Sequence, residues 1–193
     1  WFTHNGFLLN ISKSTCMIIS NRTVPSNLTV LLSGSRLKVG DSLALVGVTL
    51  DPKLSFVKQS RKSKSVVSSL LYSLKKIRHF LTTSEALKIY ESIIRPKLEY
   101  CSALTLGTSL ENVQLLEACQ SRAIRIICRA PFSHTNSFSV STARIFLELP
   151  LLSERRSEHF LKIVQNVIDG KGSSALLSSL SECKSRTRGL RNS

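Results

Sequence analysis

The period of the hydrophobic residues changes at one place, Asp51-Pro52, and that change restricts what the chain can fold into. On the N-terminal side the apolar runs are short and bounded by turn residues, the pattern of strands. Thr15 to Ser20 is apolar and partly β-branched. Leu28 to Leu32 and Arg36 to Val39 flank Ser33-Gly34-Ser35, where Gly34 can supply the positive φ of a hairpin turn. Leu43 to Leu50 is a further run, interrupted by Gly47. A glycine there marks either a bulge or a place where a backbone or a ligand comes close.

From about Phe56 onward the spacing is helical. Val67, Leu70, Leu74, Ile77 and Leu81 make one stripe on a helix from Lys58 to Leu81. Thr82 and Glu85 form a capping box for the next helix, with the stripe Ala86, Leu87, Tyr90, Ile93 and Ile94 and a stop or kink at Pro96. A third helix, Glu111 to Arg129, buries Val113, Leu116, Ala123, Ile124 and Ile127, and Pro131 closes it. Phe132 to Thr142 is a polar loop, a short helix precedes Pro150, and Ser153 caps a last helix with Phe160, Val164, Val167 and Ile168 inward. Beyond Lys171 the composition turns to Ser, Lys, Arg and Gly, a flexible basic tail. The expected class is α+β, a small antiparallel β part followed by a mostly α-helical bundle. The expected divisions are 1–55, 56–130, 131–170 and 171–193.

Charge narrows the partners. The formal net charge is +15, from 27 Lys+Arg against 12 Asp+Glu. Self-repulsion of this size favours an anionic partner, of which nucleic acid is the commonest. Residues 1–84 hold 12 of the basic residues and 2 acidic ones, Asp41 and Asp51, and the span Pro52 to Ser84 has no carboxylate. That span carries Lys53, Lys58, Arg61, Lys62, Lys64, Lys75, Lys76 and Arg78, which are either phosphate contacts or a solvated helix face. Arg122, Arg125 and Arg129 share one face of the third helix and suit phosphates, or carboxylates such as Glu117.

Several chemistries find no support. Metal-dependent nucleotidyl transfer needs converging carboxylates, and the β half offers only Asp41 and Asp51, the latter reading as a turn residue before Pro52. No P-loop, HExxH or G-x-S-x-G motif occurs. The five cysteines are odd in number, widely spread and free of C-x-x-C spacing, which suits small core residues in a reducing compartment. No apolar run reaches about 18 residues, so neither membrane nor secretion is expected, and the location is intracellular, cytoplasm or nucleus. The start at Trp1 suggests a piece of something longer.

A series of phrases then occurs in fixed order. Trp1, Asn5, Phe7, Leu9, Asn10 and Lys13-Ser14 come first, followed by Val46-Gly47-Val48-Thr49-Leu50-Asp51-Pro52-Lys53-Leu54-Ser55-Phe56. Ile94-Arg95-Pro96-Lys97-Leu98-Glu99-Tyr100-Cys101 is the most specific, and Leu116, Gln120, Ala123 and Arg125 and then Leu149 to Arg156 complete the set. Together they resemble the part of LINE-type, jockey-like non-LTR retrotransposon reverse transcriptases that follows the catalytic aspartates, over about residues 1–170. The family's tryptophan soon after the Tyr-Cys phrase is missing, since Ala103-Leu104-Thr105-Leu106 stands there.

The resemblance implies that residues 1–55 are the end of a palm with its primer grip, 56–130 a helical thumb and 131–170 a connector. It implies primer-grip positions at Val46, Gly47 and Val48, and a place near the incoming nucleotide's phosphates for Lys13, which is otherwise a solvated lysine before a strand. It implies RNA-directed DNA polymerisation and Mg2+ for the complete parent enzyme, with no cofactor held by this chain. The implied partners are RNA/DNA template–primer and the upstream fingers and palm of the same polyprotein. The alternatives are a helical interaction module and a non-functional retroelement remnant.

Overall fold

The computed structural model describes residues 2–22, 28–130 and 138–179. Trp1, residues 131–137 of the serine-rich stretch, Cys183 and the tail beyond residue 179 lie outside the described residues. Residues 174–179, placed in the tail on composition, are helical.

Strands Thr15–Cys16 (β1), Val30–Leu32 (β2) and Ser35–Val39 (β3) form a sheet of order β1-β3-β2. β2 and β3 are antiparallel and joined by Ser33-Gly34, both at positive φ, as the turn residues suggest. β1 runs parallel to β3, so the β part is not wholly antiparallel. The run Leu43 to Leu50 is not one interrupted strand. It is a second hairpin, Leu43–Leu45 (β4) against Val48–Leu50 (β5), with Val46 (φ 48°) and Gly47 (φ 79°) as its two turn residues. Both sit in the left-handed region, which matches the right-handed twist of the flanking strands.

The passage from strand to helix is organised by Asp51. Its carboxylate accepts hydrogen bonds from Lys53 N (3.2 Å), Ser55 N (3.0 Å), Ser55 Oγ (3.0 Å) and Phe56 N (2.9 Å), and the residue is 9% exposed. Burial pushes its pKa up, but these donors outweigh burial and hold it below the ordinary aspartate value. Leu54 and Phe56 both adopt positive φ in the resulting turn. Helix Val57–Ile77 (α1) then begins, and Gln59 Oε1 on its first turn accepts from Thr49 N, fixing the hairpin to the helix.

α1 buries Val67, Leu71 and Leu74, while Ile77, expected inside, is exposed because the helix ends there in a tight turn, Arg78–Phe80. The capping box forms as read, with both Thr82 and Glu85 bonds present, and opens helix Thr83–Ile89 (α2). Pro96 does not stop this helix. A π-helical turn at Tyr90–Ile94 passes it into Arg95–Glu99 (α3), absorbing the hydrogen bond that proline cannot make. The wider turn rotates Ile93 out to solvent and leaves Tyr90 and Ile94 fully inside.

Helix Leu110–Ile127 (α4) packs along α1 and supplies Leu116, Ala123, Ile124 and Ile127 to the core. Val140–Phe146 (α5) and Leu152–Ile168 (α6) close over α4. Ser153 is not the cap of α6 but a residue of its first turn. Glu154 reaches back to Leu151 N (2.8 Å), and Ser153 N donates to Glu117. Of the α6 residues expected inside, Val167 is buried, while Phe160 and Ile168 are exposed because nothing described covers that side of α6.

Polar ties hold the helices in register. The buried Tyr90 hydroxyl donates to Gln120 Oε1 (2.7 Å), whose Nε2 donates to Pro150 O (2.8 Å), so three segments meet at one glutamine. Arg155 forms an ion pair with Glu99. Asn112 and Thr108 both donate to Ser55 O, tying α4 to the turn before α1.

Candidate nucleic-acid interface

At 100° per residue the α1 side chains fall into two faces. Val67, Leu71, Leu74 and Ser60 point inward. Lys58, Arg61, Ser65, Ser69, Tyr72 and Lys76 line the opposite face, with Lys62 and Lys64 flanking them, and all of these are exposed. The 21 residues give a face about 30 Å long. Lys76 Nζ lies 4.7 Å from the Tyr72 ring centroid, and Lys58 Nζ donates to Asp41 O at 3.3 Å. Arg61 and Lys64 border a shallow groove walled by Ser65, Ser68, Ser69 and Tyr72.

Five carboxylates of the neighbouring elements are committed elsewhere, while Asp41, whose carbonyl accepts from Lys58, borders one end of the face. Asp51 serves its own turn, Glu85 its cap, Glu91 pairs with Arg95, Glu99 with Arg155, and Glu117 accepts from Ser153 N. Arg61, Lys62, Lys64 and Lys76 form no ion pair with a described residue.

The basic surface continues onto α4. Burial pushes the Cys119 thiol up in pKa, and the charges of Lys64 of α1 and Arg122 of α4 both pull against it. Further along, a cleft of about 310 Å³ lies between the ends of the two helices, lined by Lys75, Arg78, His79, Arg125, Arg129 and the Ile126-to-Ala130 corner. No carboxylate of the described residues lines it. The Arg125 guanidinium sits 5.6 Å from the Phe138 ring centroid.

Two of the arginines selected from sequence are placed differently from the rest. Arg78 is 6% exposed, and its guanidinium donates to Ile126 O (3.1 Å), Ile127 O, Leu81 O (2.6 Å) and Thr83 Oγ1 (3.2 Å). It caps the last carbonyls of α4, and most of its donors are spent within the fold. The sequence held the signal: Arg78 continues the inward stripe Val67, Leu71, Leu74 at helical spacing. Arg129 lies past the end of α4 with φ 51°, and its Nη2 reaches the carbonyls of Arg78, His79 and Leu81. It borders the cleft from this corner, not from the regular face shared by Arg122 and Arg125.

Lys13 is exposed at the end of a short turn capped by Asn10, whose Oδ1 accepts from Lys13 N. Val46 stands at the tip of its hairpin, 82% exposed, and its carbonyl accepts from the Tyr100 hydroxyl at 2.6 Å. Gly47 faces the same tyrosine, and a Cβ there would lie 3.3 Å from that hydroxyl. Val48 is buried beneath them. The hairpin tip thus rests on α3, and an open cleft of about 340 Å³ separates it from Lys62, Val66, Pro96 and Lys97.

The residues do not fit a two-metal centre. Asp51 spends both oxygens on its own turn, and the described residues contain no group of three metal-ligating side chains. Among the described residues no helix is long and apolar enough to cross a membrane. What remains as a candidate site is a basic surface on α1 and α4 suited to phosphate backbones. Comparison with protein-family models, with curated proteins and with solved structures finds no match for the chain.

Proposed function

We propose that the chain is the grip-and-thumb portion of a non-LTR retrotransposon reverse transcriptase, which holds template–primer nucleic acid but does not itself carry the catalytic aspartates. The observation that carries this reading is the acid-free face of α1, extended by Arg122 and Arg125 of α4. Exposed, unpaired cations in rows position a phosphate backbone without reading its sequence. The upstream fingers and palm, with their Mg2+, complete the polymerase, and a nucleic-acid partner places the protein in the cytoplasm or nucleus. Lys13 and the Val46-Gly47 tip would then face the primer side.

The test is equilibrium binding of an RNA–DNA hybrid across a salt series. Neutralising roughly four to six phosphates gives a slope of log affinity against log salt of about −4 to −5. Affinity indifferent to salt would remove the proposal. The exposed Phe160, Leu161 and Ile168 of α6 support a second reading, a helical interaction module. Capture of a protein partner together with no affinity for the hybrid would favour it.

A further inference from the structure

The corner after α1 has a composition unlike the rest of the basic surface. Arg78 turns inward onto the α4 carbonyls and onto Leu81 O and Thr83, and so pins the turn Arg78–Phe80 from beneath. The two residues that follow it are thereby held outward. Phe80 is 79% exposed, and its ring centroid stands 3.8 Å from that of His79, with the planes tilted by 41°. His79 itself lines the cleft that holds Lys75, Arg125 and Arg129. An aromatic pair therefore borders a pocket of cations whose described wall holds no carboxylate.

We infer that this corner binds an unpaired nucleotide, its base stacked on Phe80 and its phosphate among Lys75, Arg125 and Arg129. The inference rests on the template–primer reading and names which part of that substrate meets which part of the surface. Bases inside a duplex are stacked on one another and offer no face to an aromatic side chain, whereas single-stranded nucleotides do. The cleft, about 310 Å³, is at the small end of ligand pockets, roughly 300–1,000 Å³. That suits one nucleotide and not a duplex. The position also fits. Lys75 and Lys76 occupy the last turn of α1, so nucleic acid tracking the basic face arrives at Phe80 where the helix ends. The α1 face takes the duplex and the corner takes the first nucleotide beyond it.

The experiment compares the full chain's affinity for a blunt RNA–DNA hybrid and for the same hybrid with a five-nucleotide single-stranded extension, by fluorescence anisotropy at fixed salt. The wild type is expected to bind the extended hybrid about tenfold more tightly, the scale of one base–aromatic stack. Phe80→Ala abolishes that difference and leaves blunt-hybrid affinity unchanged, while Phe80→Trp preserves it. Because Phe80 is exposed, the alanine variant is expected to keep the wild-type melting temperature, which is measured alongside. Equal affinity for the two hybrids, or an extension preference that survives Phe80→Ala, overturns the inference and leaves the template–primer reading standing. Failure to bind either hybrid overturns both.

Discussion

At the scale of single residues, charge type did not reveal which cations bond inward. Arg78 and Arg61 look alike in a basic helix, yet one caps α4 and the other meets solvent. Arg78→Met is expected to cost about 2–4 kcal/mol, because several buried carbonyls lose their donor. Urea unfolding measures it, and Arg61→Ser should leave that midpoint in place while lowering the salt slope by about one. Asp51 is the acidic counterpart. Its pKa is depressed in the folded state, so its stabilisation is complete above the ordinary aspartate value and fades as pH falls through the folded one. Asp51→Asn should cost about 1–3 kcal/mol at neutral pH. The gap between variant and wild type should narrow below pH about 4, as pH-resolved unfolding would show.

At the scale of elements, the legible features were those whose chemistry is local. The Thr82–Glu85 cap and the Ser33-Gly34 turn need only neighbouring residues, and both form as read. The hairpin at Val46-Gly47 was not legible because a β-branched residue occupies a left-handed turn position, which local preference argues against. The Tyr100 hydroxyl bond to Val46 O, from 54 residues away, helps hold that conformation. Val46→Asn should relieve the strain and raise stability by about 0.5–1 kcal/mol, whereas Val46→Ala should gain less; thermal unfolding ranks them. The π-turn before Pro96 was equally hidden, since helical periodicity assumes regular turns. That turn puts Ile93 outside, and Phe160 and Ile168 point outward for reasons of tertiary cover that no spacing rule contains.

For the whole molecule, several of the phrases that suggested a polymerase fragment are bonded to one another, and these bonds build scaffold. Gln120 donates to Pro150 O and also accepts from Tyr90, which lies outside the phrases, Glu99 holds Arg155, and Tyr100 supports the hairpin tip. The α+β class was readable from period alone, and of the α1 stripe Val67 and Leu74 are buried as expected, whereas Leu71 takes the place expected of Leu70 and Ile77 is exposed. Among the arginines, the inward place of Arg78 was signalled by helical spacing, whereas the place of Arg129 past the end of α4 required the fold. The account stands on the α1 face. The measurement that tests it most directly is the salt dependence of hybrid binding by the wild type and by a variant with Lys58, Arg61, Lys62 and Lys64 replaced by serine. The wild type should show a slope of about −4 to −5, and the variant a slope closer to −1, at an unchanged melting temperature. Equal slopes for the two proteins would contradict the account.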